Sequence, residues 1–313
     1  MNMLKPLWYQ MLDKLRIPDY YKIQSYEVLF EVELENTENI EFSGKLGVPM
    51  PLESDYQKLL TEPCFNSEVA VEKCKSYGNA YALVDFNLKP GDKKTISECF
   101  KVKVKPRDAV WGKWLLTGDS LPEEFYQSKH LHPNDPRIIE AARSCVLKAK
   151  SIKDILIALN NYVIHYLVYG KPIKGLYTDL EALESKVVDC GGFDIFLASL
   201  AAALKIEARI VSGFWADMSK DNMHAWVEFK MPDGTWVSAD PSVEQLRMKG
   251  RTKKSGRMGF VGSDRIAFSL GSDILIETKT EKIIVDILQH PFFLPQDLGK
   301  KIKVNTKVSS IRL

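Results

Sequence analysis

Three residues of the chain combine types and positions that could support attack by a thiol on a carbonyl group: Cys190, His224 and Asp240. A thiol becomes a strong nucleophile when an imidazole accepts its proton. A carboxylate bound to the other ring nitrogen then fixes the tautomer and orientation of that imidazole. The candidate catalytic residues therefore lie between residues 190 and 240.

Cys190 is set apart from the other cysteines by its surroundings, since Gly191, Gly192 and an apolar pattern that predicts an amphipathic helix follow it. The glycines permit close backbone approach, and the unpaired N–H groups at a helix start favour an anion. We expect the thiol to be biased toward the thiolate.

The five cysteines are odd in number and contain no C-x-x-C pair, which fits neither a disulfide framework nor a zinc ribbon. No function is assigned to the other four, Cys64, Cys74, Cys99 and Cys145.

His224 and Asp240 lie on two strand patterns that flank the turn residues Pro232-Asp233-Gly234. Such a turn predicts an antiparallel hairpin, in which His224 falls within a residue or two of being opposite Asp240. Cross-strand neighbours are close enough to hydrogen-bond. Contact with Cys190 must then come from packing of its helix against this hairpin.

The elements that carry these residues change in type along the chain. In the first hundred residues apolar side chains alternate with polar ones, as in half-buried strands, and turn residues such as those at 89–92 separate the strands. Further along, apolar residues recur at helical spacing, with Pro136 at a first helical position and Ser151 as a helix cap. Alternation after Ile274 predicts further sheet. The first strand is predicted from Tyr26, Val28, Phe30, Val32 and Leu34, with Leu29 as an exception.

These patterns predict an α+β chain with two domains. We expect an N-terminal all-β sandwich domain at residues 1–110 and an α+β domain with an antiparallel sheet at residues 111–313. The boundary is expected near residues 105 to 125. All three candidate catalytic residues then lie in the second domain.

The residues around the candidate site resemble a known family. Asp189-Cys190-Gly-Gly-Phe with its apolar helix, Leu204-Lys-Ile-Glu-Ala-Arg209, His224-Ala-Trp226 and Trp236-Val-Ser-Ala-Asp240-Pro241 are similar to the core of the transglutaminase-like superfamily. The resemblance covers roughly residues 150 to 245. It implies a papain-like α+β core in which Cys190 is the nucleophile, His224 the general base and Asp240 the residue that orients it. The N-terminal half is similar to the β-sandwich that often precedes such cores in bacterial and archaeal members.

Further site residues follow from the resemblance, and one position departs from it. Tyr166, Gly191 and Trp226 are weak candidates for substrate binding, although core packing is the favoured role for Trp226. Val188 stands where members usually carry Gly, and the two glycines after Cys190 are expected to compensate. We expect the Cys190 N–H and a second group, such as a tyrosine, to hold the oxyanion.

The predicted function is thiol-dependent amide-bond hydrolysis or acyl transfer through a thioester. We favour a peptidase, because bacterial-type members of this architecture resemble proteases. Two alternatives stay open: a protein-crosslinking transglutaminase, and an inactive binding protein that keeps the fold. The expected partner is a peptide or protein substrate, with no metal or cofactor, and no oligomeric state is predicted.

Composition limits the other classes of partner. With 43 Lys and Arg against 41 Asp and Glu, the net charge of +2 gives no reason to expect nucleic acid. No apolar run approaches the ~18 residues of a membrane span, and we expect a cytoplasmic protein that does not bind membranes. The six basic residues between Arg247 and Arg257 are interpreted as a solvated surface loop. His130 and His132 could ligate a metal but are also assigned to a surface loop.

Overall fold

The computed structural model describes residues 18–112, 128–216, 223–278 and 281–313. Within these ranges the chain forms five α-helices, α1 Pro136–Cys145, α2 Ile152–Tyr166, α3 Asp179–Ser185, α4 Cys190–Ala203 and α5 Pro241–Met248. None of the helices in the described ranges is long and apolar enough to cross a membrane.

The strands of the described ranges fall into an N-terminal group and a later group. The first comprises β1 Gln24–Asn36, β2 Phe42–Pro49, β3 Gln57–Leu59, β4 Cys64–Phe65, β5 Ala70–Lys73, β6 Ala80–Leu88, β7 Lys93–Val104 and β8 Arg107–Asp108. The second comprises β9 Val168–Tyr169, β10 Val187–Val188, β11 Ala208–Trp215, β12 Met223–Lys230, β13 Trp236–Ala239, β14 Phe260–Val261, β15 Arg265–Leu270, β16 Ile274–Glu277, β17 Lys282–Val285, β18 Phe292–Leu294 and β19 Ile302–Arg312. Short 3-10 helices lie at Asp19–Tyr21 and Gln296–Lys300.

The N-terminal strands form a β-sandwich, as the alternation predicts. One sheet has the order β19-β1-β7-β3, with β4 also paired to β7, and the other has the order β18-β2-β6-β5. The inward residues of β1 are fully or almost fully buried, whereas Leu29, the exception in the pattern, is 36% exposed. The predicted turn joins β6 to β7 through Gly91, whose φ of 81° favours glycine. The strand prediction for this half is confirmed.

The end of the chain returns to the sandwich. β18 pairs with β2, and β19 pairs along almost the whole length of β1. The tail therefore contributes one strand to each sheet. In addition, β16 and β17 pair with each other, which agrees with the further sheet predicted after Ile274. The division of the chain at residue 110 stays a prediction, and these pairings show that strands beyond it lie in both sheets of the sandwich.

The remaining α+β part is built on an antiparallel sheet with the order β13-β12-β11-β15. Helix α4 packs against β12 and β11. It is buried at every position from Gly191 to Ala202, so the prediction of an amphipathic helix is wrong. The reason is that α1, α2, α3 and α5 also pack around it. A central helix covered on all sides holds its first residue, Cys190, in a fixed place.

The predicted helix starts are confirmed. The Asp135 side chain accepts a hydrogen bond from the Arg137 N–H, with Pro136 as the first helical residue. Ser151 Oγ accepts from the Asp154 N–H at 3.2 Å at the start of α2. Each cap satisfies an N–H group that has no partner within its helix.

Candidate active site

Cys190 is the first residue of α4, and Asp189 caps that helix. Asp189 Oδ1 accepts a hydrogen bond from the Gly192 N–H at 3.1 Å, and Oδ2 accepts one from the Ile173 N–H at 3.0 Å. These bonds tie the start of the helix to the preceding loop. They fix the position of the Cys190 backbone relative to the rest of the core.

Val188 and Gly192 fit each other. Val188 is fully buried, and a Cβ atom added to Gly192 would lie 2.5 Å from Val188 Cβ. Real side chains do not approach so closely, so glycine is required at 192 as long as valine occupies 188. The expected compensation for Val188 therefore has a direct steric basis.

His224 and Asp240 come from the predicted hairpin. β12 and β13 are antiparallel, and the pairing of Val227 with Ala239 places Asp240 two residues from the position opposite His224. His224 Nε2 and Asp240 Oδ2 are 2.7 Å apart, with side-chain exposures of 4% and 0%. The prediction that these two side chains meet is confirmed.

Asp240 has partners on both oxygens. Oδ2 also accepts from Arg265 Nε at 3.2 Å and Nη2 at 3.0 Å, while Oδ1 accepts from Ser242 Oγ and the Val243 N–H. Burial alone would raise the pKa of Asp240, but the His224 ring and the Arg265 guanidinium outweigh it and lower the pKa to about 2. Asp240 is therefore a carboxylate that only accepts hydrogen bonds.

This charge state determines the tautomer of His224. An ionised carboxylate has no proton to donate, so the short contact requires the hydrogen on Nε2 of the ring. In the neutral ring the lone pair then belongs to Nδ1, which is the atom that can accept a proton. Trp215 stacks on the ring with centroids 4.6 Å apart, and Gln289 Nε2 donates to the His224 carbonyl at 2.9 Å. Ring and backbone of His224 are thus both held.

The thiol of Cys190 lies against the strand that carries His224. The backbone N–H of Ala225, the residue after His224, is within hydrogen-bonding reach of the sulfur. Among the described residues the His224 ring bonds Asp240, and no hydrogen bond joins it to the thiol. Helix packing therefore brings Cys190 to the correct strand, as expected, without a direct bond to the ring.

The expected thiolate bias is wrong for this geometry. Burial, followed by the carboxylates of Asp189 and Asp194, raises the pKa of the Cys190 thiol well above its ordinary value. Helix N–H groups favour an anion, but here the surrounding protein excludes water and places acids nearby. The thiol is neutral in the resting protein near pH 7.

Asp194 is a second acid at this end of α4, one turn after Cys190. It has no exposed surface, and both of its carboxyl oxygens lack a hydrogen-bond partner within the described structure. Burial, with Asp240 and Asp189 nearby, raises the pKa of Asp194 well above its usual range. The helical pattern in the sequence contains this residue but gives no sign of its isolation.

Cys190 lines a cavity of about 520 Å³ together with Tyr169, Gly191 and His290. Burial raises the pKa of Tyr169, so its hydroxyl keeps its proton at neutral pH. Burial, aided by the charge of Lys174, lowers the pKa of His290 to about 4, so this ring is neutral at pH 7. The cavity offers a carbonyl compound access to the thiol beside the uncharged side chains of Tyr169 and His290, and Lys174 and Asp189 also line it.

Of the three weak candidates for substrate binding, only Gly191 lines this cavity. Trp226 has no exposed surface and packs with Leu52 and Val261, so its assignment to substrate binding is corrected to the core role. Tyr166 donates its hydroxyl to the Leu183 carbonyl at 2.8 Å and stacks on Tyr162, away from the cavity. The tyrosine beside Cys190 is Tyr169 instead.

The structure also identifies Arg265, Gln289 and Tyr169, which the sequence interpretation missed. Arg265 had a signal: it is a charge at a position where the apolar pattern of β15 is otherwise buried, and it has no exposed surface. Gln289 and Tyr169 had none, because Gln289 reaches the site from a loop and Tyr169 from the short strand β9, and only the tertiary fold brings the two together.

Both histidines assigned to a surface loop contact carboxylates. The surface assignment is wrong for His130, which is buried, whereas the His132 side chain is 37% exposed. His130 is 3% exposed, and its Nε2 lies 3.4 Å from Asp286. His132 Nδ1 lies 2.6 Å from Asp179, which is fully buried. In the described ranges, no cluster of three or more possible metal ligands occurs.

The basic loop lies at the surface, as expected, with five of its six basic residues exposed, and four of the six side chains have partners within the chain. Lys254 pairs with Asp264 at 2.7 Å and covers the Trp215 ring at 4.3 Å. The other three contacts are Arg247 with Glu244, Lys249 with Gln245 and Arg257 with Asp108. The loop thus forms part of the wall behind His224.

Comparison with known proteins agrees with this geometry. Residues 139–241 match the model of the transglutaminase-like superfamily, so this segment belongs to that superfamily. A comparison with curated proteins finds no match.

A solved structure with low sequence identity shares the fold of this chain. A proposed cysteine protease from Cytophaga hutchinsonii is 12% identical and has a TM-score of 0.62, with 93% of this chain and 91% of that chain covered. The periplasmic domain of TgpA from Pseudomonas aeruginosa is 16% identical, with a TM-score of 0.38 and coverage of 74% and 92%. At these identities the Cytophaga likeness shows a common fold over nearly the whole of both chains.

Proposed function

We propose that the chain is a thiol-dependent amide-bond hydrolase with Cys190 as nucleophile, His224 as general base and Asp240 as the orienting residue. The observation that supports this most strongly is the buried 2.7 Å contact between His224 Nε2 and Asp240 Oδ2. It leaves the basic nitrogen of the ring free, on the strand against which the Cys190 thiol packs.

In the proposed reaction the proton of Cys190 moves to His224 Nδ1 as the sulfur attacks the substrate carbonyl carbon. Because the resting thiol is neutral, this transfer accompanies the attack and requires the sulfur and Nδ1 to meet once substrate is bound. His224 then protonates the departing amine, and a thioester remains on Cys190. Water attacks the thioester and restores the thiol.

The developing oxyanion needs hydrogen-bond donors. The Cys190 N–H at the start of α4 is one, since the first N–H groups of a helix have no partner inside it. We assign the second to the Tyr169 hydroxyl, which lies in the same cavity and keeps its proton.

The acceptor of the thioester is assigned to water, with a peptide or protein as substrate. The fold shared with a proposed cysteine protease is compatible with this choice. A cross-linking transglutaminase would use an amine at the same step. The cytoplasmic location also stays a prediction from the sequence.

A paired screen for peptide cleavage and for incorporation of a biotinylated alkylamine tests the proposal. Wild type and Cys145→Ala, whose thiol lies outside the cavity, should cleave peptides, whereas Cys190→Ala should not. Amine incorporation in excess of cleavage would assign the chain to acyl transfer. Equal peptide cleavage and equal amine incorporation in wild type and Cys190→Ala would instead favour a binding protein without catalysis.

A further inference from the structure

Two cysteines outside the candidate site lie opposite each other on neighbouring strands of one sheet of the sandwich. Strand β4 pairs with β7, and the register places Cys64 directly opposite Cys99. Directly opposite residues of antiparallel strands have Cα atoms about 4.5–5.5 Å apart, within the roughly 4.4–6.8 Å range of disulfides. Their distance in the sequence gives no hint of this pairing.

Both thiols lie on the outer face of the sheet. Alternate residues of β7, including Glu98 and Phe100, are buried in the sandwich, so Cys99 between them points the other way. Cys99 is partly buried and Cys64 is exposed. A small reagent in solution can therefore reach the pair.

The register of the pair is held on both sides. On one side the Asn66 N–H donates to the Ser97 carbonyl at 3.1 Å, and the Ser97 N–H donates to Asn66 Oδ1 at 2.9 Å. On the other side the Lys101 N–H donates to Thr61 Oγ1 at 2.8 Å. These bonds keep Cys64 and Cys99 opposite each other.

We propose that Cys64 and Cys99 are a redox-reactive thiol pair that forms an intramolecular disulfide by exchange with a low-molecular-weight disulfide. One cysteine attacks the reagent, forms a mixed disulfide and releases one reagent thiol. The second attacks the mixed disulfide and releases the other reagent thiol. Two protein S–H bonds and the reagent S–S bond are thus replaced by one protein S–S bond and two reagent S–H bonds.

The other cysteines differ from this pair in their surroundings. Cys74 is buried, and burial raises the pKa of its thiol to about 11. Cys145 is partly buried and its Sγ lies 2.9 Å from the Ala141 carbonyl oxygen. The new bond would cross-link β4, a two-residue strand at the edge of its sheet, to the long central strand β7.

Peptide mapping of the full chain tests the proposal. The protein carries Cys190→Ala, so that the result does not depend on the candidate nucleophile or on any activity. It is reduced, exchanged into oxidised glutathione, blocked with iodoacetamide and digested with trypsin without reduction. The expected product is a disulfide between the tryptic peptides 59–73 and 95–101, lost on treatment with dithiothreitol.

Matched variants complete the test. Cys145→Ser should keep the linked peptides, and Cys64→Ser should abolish them and leave Cys99 alkylated or glutathionylated. The proposal is overturned if oxidation yields only glutathione adducts at Cys64, only dimers linked through Cys64, or the same alkylated peptides as in the reduced sample.

Discussion

At the scale of single residues, the site is organised around the shared carboxylate oxygen of Asp240. Oδ2 accepts from both the His224 ring and the Arg265 guanidinium, and no exposed surface remains on either Asp240 or Arg265. A charge so deeply buried is stable only with such partners. The arrangement keeps Asp240 ionised and thereby keeps His224 Nδ1 available for the thiol proton.

Tyr169→Phe tests the second oxyanion donor. If the hydroxyl stabilises the tetrahedral intermediate, kcat for peptide cleavage should fall by about 10²-fold, as when one oxyanion donor is removed elsewhere. KM should change little, since the ring remains. Steady-state kinetics measures both constants.

Tyr166→Phe is the matched control, because this hydroxyl bonds the Leu183 carbonyl outside the cavity. Its kcat should stay close to that of the wild type. Equal losses in the two variants, or no loss in Tyr169→Phe, would remove Tyr169 from the proposed reaction.

Asp194→Asn tests the isolated buried acid through the pH dependence of stability. An acid whose pKa is raised by folding releases its proton first in the unfolded chain as pH rises, so wild type loses stability above the ordinary Asp range near pH 4. The amide does not titrate. Below pH 4 the difference in unfolding free energy between variant and wild type should be constant, and from there upward the variant should become relatively more stable.

Urea unfolding at pH 4 and pH 7.5 measures this difference. Asp233→Asn is a control of opposite sign, since hydrogen bonds from the Thr235 N–H and hydroxyl lower the pKa of this exposed carboxylate. This variant should become relatively less stable from pH 4 to pH 7.5. A difference between Asp194→Asn and wild type that stays the same at both pH values would show that Asp194 titrates normally.

The sequence predicts the three proposed catalytic residues because their signals are local. Cys190 stands at a helix start, and a short turn sets the register between His224 and Asp240. The isolation of Asp194, the low pKa of Asp240 and the neutral thiol depend on the environment of each group, which is produced by tertiary packing.

At the scale of elements, the start of α4 depends on steric fit. The helix brings Cys190 to β12, and Gly192 lets β10, with Val188, pack against its first turn. At the other side Gly213 lets β15 approach β11, since a Cβ there would overlap the Ile266 carbonyl oxygen. Both glycines thus set how closely the elements around the thiol and the ring can pack.

Gly192→Ala should destabilise the protein by about 1–3 kcal/mol, because the added methyl overlaps Val188. In the double variant Val188→Gly/Gly192→Ala the overlap is relieved, because no Cβ remains at position 188, so its loss should be smaller than the sum of the single losses. Urea unfolding of the four proteins gives the coupling energy. Additive losses would show that the two side chains do not compete for the same space.

Element types and many of their ends are predictable from the sequence, as the caps of α1 and α2 show. The amphipathic pattern assigned to α4 fails, because a helix surrounded by four others needs no polar face. The pairing of β15 with β11 brings Arg265 to the site. No short turn connects these two strands, so their pairing could not be derived from the periodicity of the sequence.

At the scale of the whole molecule, the sandwich is bonded to the sheet of the site. The buried side chain of Gln57 donates to the Ala267 carbonyl and accepts from the Ala267 N–H, both at 2.8 Å. The side chain of Asn79 likewise donates to the Leu270 carbonyl and accepts from the Leu270 N–H. The N-terminal half thereby supports β15, the strand that carries Arg265.

Gln57→Ala should destabilise the protein by about 1–3 kcal/mol, because the buried Ala267 N–H loses Gln57 Oε1 as its acceptor, while the Ala267 carbonyl still accepts from the Leu52 N–H. Asn66→Ala removes an amide of similar chemistry at an exposed position, where water replaces it, and should be less harmful. Thermal and urea unfolding compare the two. A loss for Asn66→Ala as large as that for Gln57→Ala would contradict a supporting role for the buried amide.

The return of β18 and β19 to the sandwich is the part of the fold least accessible from the sequence. Alternation predicts sheet in the tail but not its partners, and the partners here are strands near the start of the chain. Long-range strand pairing depends on which edges remain free once the rest has packed. No local pattern encodes it.

The central claim is that Cys190 attacks carbonyl carbon with His224 as its base, and acylation by an activated ester tests it most directly. After brief exposure of the protein to p-nitrophenyl acetate, acid quenching and tryptic mapping, we predict one acetyl group on Cys190 in wild type, at a rate reduced at least about 10²-fold in His224→Ala. Acetylation of Cys190 at the same rate in both proteins, or no acetylation of Cys190 in wild type, would contradict the account.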